Sequence, residues 1–249
     1  MRTFLLLGLS FAASVFADSP TNKHTYVIVH GAWGGGWAFR QVDSLLTADG
    51  NKVFRPTLTG QGERAHLAST NINLSTHIQD IVNVILYEDL HDIVLVGHSY
   101  GGMVITGVAD RVPDRIQRLI YIDALLPLDG ESVDSDRVHF GKHPVDLVIS
   151  NGFTTYRGFN TNRPLPHDVP MSAKTFSEAI SLKNQDVAKK IPAAYILAIG
   201  TNSVQDARFN FFYERAKERG WPVFTIESDH NAQWSHPKEL TKMLEAAAN

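Results

Sequence analysis

Short apolar runs alternate with amphipathic stretches along most of this chain. Tyr26-Val-Ile-Val-His30, Lys52-Val-Phe-Arg55, Ile93-Val-Leu-Val96, Arg118-Leu-Ile-Tyr-Ile122, Ala194-Tyr-Ile-Leu-Ala-Ile199 and Pro222-Val-Phe-Thr-Ile226 each read as a strand. Continuous apolar runs of this length fit strands buried on both faces. Helices are expected between them: Trp37 to about Leu46, a helix opened by Thr76-His-Ile-Gln79, Gly102 to Asp110, a polar one over about 206–219, and a last one from Pro237. The Thr76–Gln79 spacing is a capping-box pattern. Ile78, Ile81, Val82 and Ile85 behind it keep helical spacing. Strands alternating with helices predict an α/β fold: a mostly parallel, twisted sheet with helices on both faces.

From Leu126 to about Lys190 the alternation stops. Prolines, glycines and aromatics are scattered, with one helical stretch near Ala173 to Leu182. A segment of this kind fits a cap inserted over the carboxyl ends of the strands, where open α/β sheets bind ligands. Phe140, Phe153, Tyr156, Phe159 and Met171 are its candidate apolar lining, and each fits ordinary core of the insertion equally well.

The first 17 residues have a different character. Arg2 precedes an apolar stretch from Phe4 to Phe16, and Val15-Phe16-Ala17 has the small-residue spacing of a signal-peptidase site. The run is short for a membrane span. The expectation is an export signal ending at Ala17, followed by a single domain over 18–249 with no membrane anchor in the mature form. With no cysteine among 249 residues, disulfides and thiolate metal sites are excluded. Lys and Arg total 23 against 26 Asp and Glu, a balance that argues against a nucleic-acid partner. The 11 histidines show no metal-ligand spacing, and Gly34-Gly-Gly36 lacks a nucleotide-loop pattern. Neither metal nor cofactor is expected.

The chemistry concentrates at Gly97-His-Ser-Tyr-Gly101. At average glycine and serine usage of about 7%, roughly 0.08 such G-x-S-x-G pentads arise by chance in a chain this long, so context must decide. An apolar strand runs into this pentad and a helical pattern leaves it. That is the setting of a nucleophile elbow, with Ser99 exposed on a tight strand-to-helix turn. A serine hydroxyl needs a base and a group to orient that base. In this arrangement the order along the chain is Ser, acid, His. His230 and His236 lie far enough downstream. His230 falls on the loop after a strand, whereas His236 abuts Pro237 at a helix start, which favours His230. The acid follows an earlier strand, as Asp123 or Asp206. Asp123 comes directly off an apolar strand, where a charge needs a buried partner. Asp206 sits among polar residues, where Asp commonly caps a helix. The oxyanion is expected on two backbone N–H groups, from Tyr100 and from Ala32 in the His30-Gly-Ala loop. Three consecutive glycines and two tryptophans in that loop exceed what a turn requires, and Trp33 joins the candidate substrate contacts. His98 is expected to pack near the elbow without a catalytic role.

These motifs resemble the α/β-hydrolase superfamily, specifically the small hydrolases that include plant methylesterases, hydroxynitrile lyases and bacterial salicylate- or pyrethroid-esterase-like proteins. His30-Gly-Ala with Trp37 is similar to the group's H-G-A…W loop. Thr57-Leu-Thr-Gly-Gln-Gly-Glu-Arg-Ala-His-Leu67 resembles the bacterial T-L-T-G-x-G-E-R stretch, and Tyr121-Ile-Asp-Ala-Leu-Leu-Pro127 a Y-x-D-A-x-x-P segment. His230-Asn-Ala-Gln-Trp-Ser-His-Pro237 aligns with H-D-A-M-x-x-x-P, which selects His230 as base. The bacterial pattern selects Asp123 as acid, while the plant members carry theirs at a position aligned near Thr201. Asn231 and Gln233 depart from the pattern's Asp and Met. The resemblance implies an esterase acting on a small-molecule ester through an acyl-enzyme. Lactone opening, thioester hydrolysis and cyanohydrin cleavage are alternatives on the same scaffold. The plant lyases place a lysine after the histidine, and Asn231 there disfavours cyanohydrin cleavage. A non-catalytic binding protein has no need of the Ser, His and Asp set.

Overall fold

The computed structural model describes residues 23–140, 145–200, 204 and 207–249. The expected leader, Thr201 and Asp206 lie outside these residues. Strands β1 (Thr25–Val29), β2 (Lys52–Phe54), β3 (Ile93–His98), β4 (Ile116–Ile122), β8 (Ala193–Ala198) and β9 (Val223–Ile226) form one parallel sheet in the order β2-β1-β3-β4-β8-β9. Side chains alternate across it. Val27, Val29, Ile93 and Leu95 join the core under α2 (Leu74–Tyr87), α3 (Gly101–Arg111) and α4 (Asn210–Glu218). Tyr26, Ile28, Val94 and Val96 join the opposite core, with α1 (Arg40–Ala48) and α6 (Pro237–Ala248). Burial on both faces is why the central strands β3 and β8 read as nearly unbroken apolar runs.

The chain runs outward from β1 to β2, then returns past β1 to β3 and continues the other way. The loops after β1 and β3 therefore diverge from neighbouring strand ends, which is where such sheets bind ligands.

Two boundaries differ from the sequence expectation. Helix α2 begins at Leu74, and its cap is Asn73, whose side chain accepts the Thr76 N–H. Thr76 is thus the third helical residue of the capping box, since its hydroxyl accepts the Asn73 N–H at 3.4 Å. The helix expected over 173–182 is a single turn, Lys174–Ser177. The Glu178 carboxylate instead accepts the Ser75 N–H at 2.8 Å and the Ser75 hydroxyl at 2.8 Å. The Ile180 N–H then donates to the Glu131 carbonyl, so tertiary bonds end the helix.

The segment 126–190 also contains an antiparallel sheet that the pattern did not reveal: β5 (Leu147–Ser150), β6 (Phe153–Tyr156) and β7 (Met171–Ser172). It is stitched to the loop after β1. Trp33 Nε1 donates to the Thr154 carbonyl at 2.9 Å, and the Val169 N–H donates to the Trp33 carbonyl at 2.9 Å. Farther along the segment, beyond this sheet, buried Asp110 of α3 accepts the N–H groups of Lys183 and Asn184 at 2.9 and 2.6 Å.

Candidate active site

Ser99 follows β3 with φ of +55°, the left-handed region that costs a residue with a β-carbon. The turn is tight enough to exclude side chains on both sides. A β-carbon at Gly97 would lie 2.7 Å from the Gly101 carbonyl oxygen, and one at Gly101 2.6 Å from that of Val29. The Ser99 carbonyl accepts the N–H groups of Gly102 and Leu125 at 3.0 and 3.1 Å. This fixes the peptide joining Ser99 to Tyr100.

Three loops bring the polar set together. His230 Nε2 lies 3.0 Å from Ser99 Oγ, and His230 Nδ1 lies 2.6 Å from Asp123 Oδ2. Asp123 is buried directly beyond β4, and its Oδ1 accepts the Ala198 N–H at 3.2 Å. The carboxylate thus has a paired environment. His236 is the residue preceding α6, whose Leu240 N–H it accepts.

His230 is braced on two sides. Phe209 lies parallel to the His230 ring, with centroids 5.1 Å apart and an interplanar angle of 2°. His98 is buried, and its Nε2 donates to the His230 carbonyl at 2.8 Å. Burial holds the His98 imidazole well below the ordinary histidine range, so it stays neutral. Phe209 was not legible in the sequence, because a single aromatic on the loop after β8 carries no local pattern.

The glycine-rich loop lies against Ser99. A β-carbon at Gly31 would sit 3.1 Å from that of Ser99. Among the described residues, no hydrogen bond takes the N–H of Ala32 or of Tyr100. Trp37 stacks on Trp234 of α5 (Ala232–Ser235) at 5.6 Å, and Trp234 Nε1 donates to the Ala38 carbonyl. These contacts pin the segment after His230 to the loop after β1.

A cavity of about 890 Å³ opens over Ser99 and His230, within the ~300–1,000 Å³ range usual for small-molecule sites. Trp33, Phe140 and Tyr156 line it, as do Ala32 and Tyr100. Phe153, Phe159 and Met171 are placed elsewhere. Alternation along β6 turns Phe153 away from the face that carries Tyr156. Phe159 packs edge-on against Tyr156 at 5.3 Å, and Met171 is buried in the main core. Asn231 and Gln233 both line the cavity beside His230, with Gln233 Nε2 donating to Asn231 Oδ1 at 3.2 Å.

This chain belongs to the alpha/beta hydrolase family. The family model matches residues 26–242. The carbendazim hydrolyzing esterase of Nocardioides sp. strain SG-4G is 35% identical, over 89% of this chain and 98% of that protein. The pFDCC methylesterase MES16 of Arabidopsis thaliana is 28% identical, over 88% of this chain and 92% of its own length. Among solved structures, an extracellular alpha/beta-hydrolase from a Paenibacillus species superposes with a TM-score of 0.70 at 24% identity, covering 90% of this chain and 98% of that one.

Proposed function

We propose that this hydrolase cleaves carboxylic esters of small molecules through an acyl-enzyme on Ser99, with His230 as base and Asp123 as the residue that orients it. The observation that carries the reading is the unbroken line from Asp123 Oδ2 through His230 to Ser99 Oγ, at 2.6 and 3.0 Å. The esterases among its relatives support the same class of substrate. Asp123 accepts a hydrogen bond from His230 Nδ1–H, which keeps the proton on Nδ1 and leaves Nε2 as the acceptor facing the hydroxyl. Ser99 Oγ then attacks the ester carbonyl as its proton passes to Nε2. The carbonyl oxygen takes up charge against the Ala32 and Tyr100 N–H groups, neither of which is engaged by an acceptor among the described residues. Collapse breaks the bond to the alcohol, which leaves with the proton from His230. Water, deprotonated by the same nitrogen, attacks the acyl carbon and releases the acid and Ser99. Trp33, Phe140 and Tyr156 form the apolar wall for the substrate's bulk.

The expected outcome is turnover of p-nitrophenyl acetate or butyrate by the wild type and its loss in Ser99→Ala. No turnover by the wild type, or equal turnover by the variant, contradicts the reading. The proposal includes export: the Phe4–Phe16 run and Val15-Phe16-Ala17 support removal of residues 1–17. N-terminal sequencing of the exported protein should begin at Asp18, and an intact leader contradicts it.

A further inference from the structure

Thr57-Leu-Thr-Gly-Gln-Gly-Glu-Arg64 is a conspicuous segment with no part in the chemistry above. None of its residues lines the cavity. It is nevertheless strongly braced. Thr57 Oγ1 accepts the Gly36 N–H at 2.8 Å and donates to Glu63 at 2.9 Å. Arg64 Nη1 donates to the Thr57 carbonyl at 2.8 Å. The Asp80 carboxylate takes both the N–H and the hydroxyl of Thr59, each at 2.7 Å.

Two hydrogen bonds run inward from this segment, and each ends on a buried histidine. The Leu58 N–H donates to His30 Nε2 at 3.1 Å. An amide N–H only donates, so the His30 proton sits on Nδ1, which donates to the Gly31 carbonyl at 2.7 Å. That carbonyl and the Ala32 N–H belong to one planar trans peptide and point in opposite directions. Holding the carbonyl therefore aims the Ala32 N–H. On the other side, His77 Nε2 donates to the Thr59 carbonyl at 3.0 Å, which leaves Nδ1 to accept the Tyr100 hydroxyl at 3.0 Å. Tyr100 carries the second free N–H. Burial pulls both His30 and His77 down to about 4, so both tautomers persist across the neutral range.

We propose that Leu58 and Thr59 form the frame of the oxyanion hole, with His30 and His77 as positioning residues that aim the N–H groups of Ala32 and Tyr100. This rests on the ester-hydrolase reading above. The His30 arm is the more sensitive one, because the Ser99–Tyr100 peptide is also held through the Ser99 carbonyl.

The test compares p-nitrophenyl acetate with p-nitrophenyl thionoacetate, in which sulfur replaces the carbonyl oxygen and accepts hydrogen bonds poorly. His30→Leu should lower kcat on the oxygen ester by about 10²-fold with little change in KM, as loss of one oxyanion donor does. The thionoester should lose much less, so the ratio of the two kcat/KM values falls about tenfold or more. His30→Asn, whose amide N–H replaces Nδ1–H, should restore most of that ratio. His77→Leu should move it in the same direction by a smaller factor, with His77→Asn restoring it. A general loss of folded enzyme scales both substrates equally, so an unchanged ratio overturns the proposal. If the leucine variants do not fold, Tyr100→Phe decides. It removes the bond to His77 and keeps the ring, and an unchanged ratio there also overturns the proposal. Ser99→Ala in the same assay separates the two readings. Wild-type rates in that variant sink the ester-hydrolase reading itself. An inactive Ser99→Ala beside an unchanged His30→Leu ratio sinks only the oxyanion frame.

Discussion

His98 Nε2 holds the main-chain carbonyl of His230 at 2.8 Å. The residue before Ser99 thereby fixes the backbone that carries His230. Replacing His98 by Phe keeps a ring in place and removes the bond. Misplacing a reacting group by about 1 Å costs about 10²-fold in rate. His98→Phe should therefore lower kcat/KM for p-nitrophenyl butyrate by about 10- to 100-fold, and steady-state kinetics at neutral pH check this. Wild-type kcat/KM would show that His230 needs no such support.

Tyr195 performs a comparable service for Asp123. Its hydroxyl donates to the Ala124 carbonyl at 2.6 Å and accepts the Ala124 N–H at 2.9 Å. Asp123, the residue before Ala124, has φ of +42°. Tyr195→Phe strands two buried backbone groups, each worth about 1–3 kcal/mol. Urea unfolding should report a loss of about 2 kcal/mol or more, with activity reduced as well.

Acidification should destabilise the fold through His30 and His77. Both are lowered in the folded protein, from 6.5 to about 4. Between those values the unfolded chain binds protons that the folded one refuses, so stability rises with pH across that window. Their contribution is complete above about pH 6.5 and lost progressively toward pH 4. Urea midpoints from pH 7 to pH 4 should fall in the wild type, and fall less steeply in His30→Asn. Equal slopes would contradict the assignment.

Asp136 has the opposite sign. Burial, and then the neighbouring Glu131, raise its carboxyl from 3.8 to about 7, and its Oδ2 has no partner among the described residues. A raised folded value stabilises the neutral form at low pH and costs stability as pH climbs from about 4 to 7. Asp136→Asn should raise the Tm at pH 8 and change it little at pH 4, as thermal unfolding at both values would record.

The β3–elbow–α3 unit was legible because local rules and global packing agree there. A strand buried on both faces must be apolar, and the turn after it leaves no room for side chains at Gly97 and Gly101. His230 and Asp123 were expected from their places after strands, and the fold brings His230 beside Asp123 and Ser99, from which it lies 107 and 131 residues along the chain. What escaped depends on contacts between distant segments. The cap sheet pairs Phe153 with Ser172, and such short strands have no periodicity to read. Phe153 and Met171 are as apolar as Phe140, so composition alone did not separate cavity wall from core. The buried roles of His30 and His77 appear only once the Thr57–Thr59 segment is folded against them.

The proposed mechanism passes through a covalent acyl-enzyme on Ser99. The most direct measurement is stopped-flow release of p-nitrophenol from p-nitrophenyl butyrate, combined with peptide mass analysis of the acid-quenched enzyme. The wild type should show an initial burst approaching one equivalent per chain and a butyryl group on the peptide containing Ser99, and Ser99→Ala should show neither. Turnover with the acyl group on another residue, or an undiminished burst in Ser99→Ala, would contradict it.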